Sequence, residues 1–311
     1  MKCNIQGRAM AASLFGNAIF GLSFMFSRLA MTVATPLQLL SMRFLFAFLL
    51  MTALLLTGRV HVNFRRSGWP WLVVLGVLQP VLYFLFESNG ILYTSSSFSG
   101  VMIALIPVFS LAFGTVFLKE RATWLQLAFS LLSIGGIAFL AMKGTAEGGI
   151  AFKGVLLLVG AVVSAVLYNV LARKLSREYT AFERTYMMFL VGFVVFMAMA
   201  LFESGGSVRG IAAPLKEPAF LLSILYLGGV SSMGAFLLIN YATTYLPLAR
   251  TTAFANVTTV VSVLAGVLLL GEAFDWKSAL ACAAILAGVA GVQHFTSERG
   301  QGNAAEGAQG L

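Results

Sequence analysis

Residues 92–124 read LYTSSSFSGVMIALIPVFSLAFGTVFLKERATW, and residues 244–276 read TYLPLARTTAFANVTTVVSVLAGVLLLGEAFDW. At a shift of 152 residues Tyr93 meets Tyr245, Glu120 meets Glu272 and Trp124 meets Trp276. Gly76 with Gly228 and Gly136 with Gly288 obey the same shift. Upstream the shift is 145: Arg28 meets Arg173, Phe44 meets Phe189 and Phe48 meets Phe193. A repeat of this length in an apolar chain is a signal of fold, not of local structure.

The chain has 311 residues, 59% of them apolar and 10% charged, against about a quarter charged in soluble domains. Such a chain cannot cover a globule with polar surface, so lipid is part of its solvent. The net charge of +9 does not indicate nucleic acid, because Lys and Arg fall in short gaps between apolar runs and form no basic face. A bilayer core takes about 20 apolar residues per helix. The runs at 10–32, 36–57, 70–92, 98–118, 123–142, 153–172, 184–203, 219–241, 247–270 and 276–296 therefore predict ten spans.

Thirteen Lys and Arg fall on one side of that arrangement and six on the other, which places both termini in the cytoplasm. Five spans per copy is an odd number, so the copies cross the membrane in opposite senses. The expected fold class is all-α integral membrane: ten transmembrane helices as two inverted five-helix repeats. The expected division is a tail (1–9), a first repeat (10–142), a linker (143–152), a second repeat (153–296) and a disordered tail (297–311) rich in Gly, Ala and Gln. Inverted repeats hold solute near mid-membrane at the repeat interface.

Phe20-Gly21-Leu22-Ser23-Phe24 with Arg28, Pro36 with Arg43-Phe44, Tyr93-Thr94-Ser95, Pro107-Val108-Phe109, Leu167-Tyr168, Ala172-Arg173-Lys174 and Leu270-Gly271-Glu272 occur in that order. Together they resemble the EamA-like branch of the drug/metabolite transporter superfamily, over about residues 10 to 296. The first-helix aromatic, usually Trp in that family, is Phe20 here, and its second-copy slot holds Ala165. The resemblance implies an inner-membrane carrier, often an exporter of amino acids or other small metabolites.

Charge inside a span is costly and marks function by default. Arg43 and Glu87 are the two acid or base groups read well inside spans. At 1.5 Å per residue they lie roughly 10 Å and 8 Å below the same membrane edge. The equal depths predict a salt bridge or a shared solvated cavity. The second copy holds Met188 and Ile239 in their places. One reading makes Glu87 the proton carrier and Arg43 the grip on an anionic group. The other makes them a static pair. Among uncharged polar residues, Asn17, Tyr83, Asn240 and Asn256 are the cavity candidates, since a pocket needs a few placed polar groups among aromatics. Pro80 and Pro107 sit mid-span and are hinge candidates.

Ala279, Ala283, Ala287 and Gly291 let another helix approach closely. Span five and a second protomer, in a homodimer, both fit. Glu120 and Glu272 read as helix-end anchors, and Trp124 and Trp276 as interfacial aromatics.

An enzyme is disfavoured. The sole Asp is Asp275, in a loop, and the two His are His61 and His294. No His-Glu-x-x-His or Walker sequence occurs, so neither metal nor cofactor is expected. The partners expected are a small-molecule substrate and the lipid bilayer. The function expected is secondary transport by alternating access; export of small metabolites such as amino acids, with proton exchange as the preferred drive, is what the resemblance implies. An importer or facilitator of another solute is the alternative, ahead of a membrane-embedded enzyme.

Overall fold

The architecture is that of a computed structural model. It describes the backbone of residues 2–58, 60, 62, 68–117, 122–146, 148–246 and 254–309, without the side chains of 2–4, 114–117, 145, 255 and 296–309. Among the described residues there is no strand. Nine helices among the described residues are long and apolar enough to cross a bilayer: Ile5–Ala30, Pro36–Leu56, Trp69–Leu92, Ser96–Phe113, Trp124–Gly144, Phe152–Leu175, Ala181–Glu203, Pro218–Tyr245 and Trp276–Phe295. The shorter apolar helix Asn256–Leu270 lies before the last of these. Numbered in chain order with that helix as span nine, they are spans one to ten. The last helix continues to Gln309, past the point where composition predicts disorder. The Ala, Gln and Glu in that stretch are good helix formers, and they outweigh its glycines.

The repeat is visible in how helices start. Thr35 caps span two by accepting from the Gln38 N–H while the Gln38 side chain accepts from the Thr35 N–H. Thr180 and Glu183, each 145 residues on, form the same reciprocal cap on span seven. Each cap satisfies backbone N–H groups that lipid cannot.

The repeat also governs packing. Phe44 lies 5.8 Å from Phe189 between ring centroids, and Phe48 stacks on Phe193 at 5.5 Å with 6° between planes. Spans two and seven therefore meet through residues that are each other's repeat partners, which places a pseudo-two-fold axis between them. The axis predicts paired contacts elsewhere. A Cβ on Gly76 would lie 2.8 Å from Val191 Cβ, and one on Gly228 would lie 2.7 Å from Phe46 Cδ1. Val191 and Phe46 are themselves repeat partners. Glycine at both places lets the helices close, and close approach drives helix association where water gives no hydrophobic push.

Spans five and ten close similarly, and there Ser133 donates to the Ile285 carbonyl at 3.2 Å. Of the small-residue stripe on span ten, Gly291 abuts Phe129, whereas Ala279, Ala283 and Ala287 are exposed. The face turned to span five carries Ala281, Ile285, Val289 and Val292 instead.

Two arginine clips follow the same symmetry. Arg28, ending span one, donates to the Ile91 carbonyl of span three at 2.8 Å. Its partner Arg173, ending span six, donates to the Thr243 carbonyl of span eight at 2.6 Å. Ile91 and Thr243 are 152 residues apart. A cation at a helix C-terminus satisfies free carbonyls and suits the helix dipole.

Spans three and eight are both interrupted at mid-length. Span three kinks at Gln79, whose backbone is extended (φ −147°, ψ 116°) ahead of Pro80, and span eight widens into π-helical turns over Leu225–Ala235. Pro80 accounts for the first, since it donates no N–H and crowds the turn before it. Ser164 of span six donates to the Leu78 carbonyl there at 2.6 Å, the kind of outside partner that lets a membrane helix keep a proline. Span four breaks at Ala104–Leu105, between the helices Ser96–Ile103 and Ile106–Phe117, so Pro107 sits in the first turn of a new segment.

The reading of only two buried ionic groups needs correction. Span seven starts at Ala181, not 184, and this draws Arg184 fully inside. Arg184 donates to the Ala172 carbonyl at 3.0 Å and to the Asn240 carbonyl and Thr244 Oγ1, both at 2.8 Å. It ties spans six, seven and eight together.

Candidate functional site

A cavity of about 800 Å³, its open mouth included, lies at the centre of the bundle. Spans one, three, four, six, eight and nine line it. Its walls follow the pseudo-two-fold axis. Phe20 and Ala165, Ser23 and Tyr168, Phe24 and Asn169, Phe84 and Phe236, Glu87 and Ile239, and Ile106 and Thr258 are six pairs of repeat partners, and both members of each line it. The position of the site is thus duplicated, and its chemistry is not.

Glu87 is the clearest chemical feature. It lies one turn beyond Tyr83 on span three, so both side chains share a helix face. The side chain is 2% exposed. Tyr83 lines the wall beside it, while Oε2 has no partner. Ile103 and Ile106 reach the wall from either side of the break in span four. Phe84 and Phe236 stand 6.2 Å apart between centroids, and Phe236 meets Phe20 edge-on at 5.0 Å.

Arg43 does not form the expected pair. It is 1% exposed and is not among the lining residues. Among the described residues the salt bridge Lys143–Asp275 is present and none joins Arg43 to Glu87. Arg43 instead crosses to span eight, where Nε donates to Ser232 Oγ at 2.9 Å and Nη2 to Ser231 Oγ at 3.3 Å. Its guanidinium lies 4.1 Å from the centre of the Phe84 ring. Equal depth in the membrane fixed neither its direction nor its partner. The two serines occupy the second-copy slots of Gln79 and Pro80, a signal that the repeat register carried.

The other candidates separate. Asn17 lines the cavity, and its Oδ1 accepts from Thr258 Oγ1 at 3.0 Å, joining spans one and nine. Tyr83 lines it beside Glu87. Asn240 lies behind the wall, accepting from the Tyr168 hydroxyl at 3.1 Å and donating to Thr185 Oγ1 at 3.0 Å. Its carbonyl takes the Arg184 bond, so Asn240 links the cavity wall to that clip. Asn256 is half-buried with Oδ1 unpartnered and is not among the lining residues. Pro80 packs towards Gly192 of span seven. Gln79 and Asn169 both line the cavity, though counting polar residues gave no reason to prefer them.

Glu272 serves as the expected anchor. Oε1 accepts from the Ser96 N–H at 2.7 Å and Oε2 from the Ser97 N–H at 2.9 Å, so a residue of the second repeat caps span four of the first. Its repeat partner Glu120 lies outside the described residues, as do Arg59, Arg65, Arg66, Lys119, Arg121 and Arg250 from the charge tally. Near the same end Lys143 Nζ donates to Asp275 Oδ1 at 2.6 Å. That bond, with further ones from Ser278, holds the Asp275 carboxyl well below the usual carboxylate range. Among the described residues no three His, Cys, Asp or Glu gather as metal ligands.

The profile of the EamA-like transporter family matches twice, at residues 8–142 and 152–293. The chain belongs to that family. The double match coincides with the two halves that the axis relates, and it makes the chain a membrane transporter. An uncharacterized transporter of Bacillus subtilis (strain 168), YcxC, is 37% identical over 92% of this chain and 93% of that protein. A probable terminal-alkyne amino-acid exporter of Streptantibioticus cattleyicolor is 29% identical over 67% of each chain. A crystal structure with 21% sequence identity covers 93% of this chain at a TM-score of 0.64, a likeness of fold.

Proposed function

We propose that this transporter exports small metabolites such as amino acids by alternating access, with Glu87 exchanging protons against the solute. The observation that carries the reading is a cavity on the repeat axis holding one buried carboxylate with an oxygen left unpartnered. A carboxylate in that setting needs a proton or a cationic partner. Asn17, Tyr83 and Glu87 face the solute, while Arg43 and Asn240 act from behind the wall. The kink at Pro80 and the break before Pro107 are where the halves bend as the cavity changes sides. The excess of Lys and Arg on one side supports cytoplasmic termini in the plasma membrane. The Streptantibioticus relative supports amino acids as the solute and export as the direction.

Counterflow in proteoliposomes tests this, with a panel of amino acids offered with and without an imposed pH gradient. Transport should respond to the gradient in the wild type. Glu87→Gln should lose that response while the protein remains in the membrane. A gradient response that survives the substitution retires the proton role.

A further inference from the structure

We infer that the cavity selects its solute by a protonated amine, received by the Glu87 carboxylate among the rings of Tyr83 and Phe236, and that a carboxylate on the solute is dispensable. The inference rests on the transport reading above and names the class of solute.

The charge on the lining itself is one-sided, with Arg43 behind Phe84 acting on Glu87 from outside the wall. Glu87 is the one carboxylate among the described lining residues, and no Lys, Arg or His is among them. Arg43, the cation expected to grip an anion, is engaged with Ser231 and Ser232 and lies against Phe84. A solute carboxylate entering the cavity therefore meets a like charge and no lining cation, an arrangement that disfavours it in a low-dielectric site. An ammonium finds the reverse. Glu87 Oε2 is buried and has no partner, and an ammonium brings three donors. The rings of Tyr83 and Phe236 add cation–π attraction, strongest where water is excluded, whereas Phe84 already carries Arg43.

The rest of the cavity sets what else the solute carries. Ile103, Ile106 and Ile239 present apolar walls to an aliphatic or aromatic body. Gln79 and Asn169 line the cavity with side-chain amides that can bond a neutral polar end. This is a pocket of few polar groups among apolar ones, with orientation fixed by the single charge.

The test uses solutes that share a skeleton. L-Phenylalanine, 2-phenylethylamine and 3-phenylpropanoate differ in which charged group they keep. L-Leucine, 3-methylbutylamine and 4-methylpentanoate form a second such set. Binding to the purified full chain is read by calorimetry and by the shift in thermal midpoint. The amino acid and the amine should bind and the acid should not. Glu87→Gln should weaken binding of the amine about tenfold or more, as loss of one charge-assisted bond requires.

Equal or stronger binding by the acids overturns the inference, as does the same affinity for all three members or no binding by any. The wild-type series decides without the variant if Glu87→Gln fails to fold. Proteoliposome counterflow that ignores the amine also rejects amine selection and leaves the transport reading intact. Amine binding without counterflow of any solute in the panel rejects the transport reading instead.

Discussion

The centres of spans three and eight occupy equivalent places in the repeat and hold different chemistry. Span three presents Gln79, Pro80, Tyr83 and Glu87; span eight presents Ser231, Ser232, Ala235 and Ile239 at the same positions. Both are interrupted, span three by extended backbone at Gln79 and span eight by a widened turn, and both contribute a phenylalanine to the cavity wall. The scaffold is shared: paired glycine contacts, paired arginine clips, paired caps. The charge belongs to one half. Two asymmetric residues depend on this difference. Glu87 faces the cavity from span three, and Arg43 of span two is held by the two serines that span eight has where span three has Gln79 and Pro80.

Five variants, one of them double, test where shared scaffold ends and local chemistry begins. The largest effect is expected from moving the carboxylate across the axis, as Glu87→Ile combined with Ile239→Glu. The relocated acid would have Ala235 where Tyr83 stands and Met188 where Arg43 stands. Proteoliposome transport should fall at least about tenfold, in line with about 1.5–3 kcal/mol for a bond to a charged group. Full recovery by the double variant would show the two halves to be interchangeable.

Next comes the contrast between two asparagines. Asn240→Leu removes a partner from both Tyr168 and Thr185 behind the wall. Its thermal midpoint and membrane abundance should drop together, on the scale of about 1–3 kcal/mol. Asn17→Leu changes the lining itself, and transport should fall further than abundance does.

A smaller effect is expected from Glu272→Ala. It exposes the Ser96 and Ser97 N–H groups at the start of span four and should cost about 1 kcal/mol of thermal stability, the scale of a lost cap. The Ser95 hydroxyl keeps its own bond to the Phe98 N–H.

The smallest effect is at Asp275, an exposed residue. Its carboxyl is depressed in the folded chain by Lys143. Its contribution is therefore present above the ordinary carboxylate range and lost as pH falls through the folded value. Thermal midpoints of the wild type and Asp275→Asn should keep a small, constant gap between neutral pH and about 5, where an unfolded Asp is still ionised. A gap that widened in that interval would contradict the assignment.

Sequence and structure divide along the same line as scaffold and chemistry. Tyr93, Glu272 and the paired glycines announced the repeat because a fixed shift survives in one dimension. Span seven was placed three residues late, because Arg184 reads as a loop residue until the Thr180–Glu183 cap is recognised. Arg43 and Glu87 are legible as buried charges at similar depth, but no salt bridge joins them and the bonds of Arg43 go elsewhere. Depth along two helices says nothing about the direction of a side chain around each axis.

The sequence by itself determined that this chain lives in lipid, crosses it about ten times and is built from two related halves. Hydropathy and repeat register need no knowledge of contacts. The tertiary structure decided which side chains meet. It set Arg43 onto Ser231 and Ser232, put Asn240 behind Tyr168, and left Glu87 facing the cavity with one oxygen open. Helix rotation and packing across the pseudo-two-fold axis fix those outcomes, and both depend on residues from the other repeat.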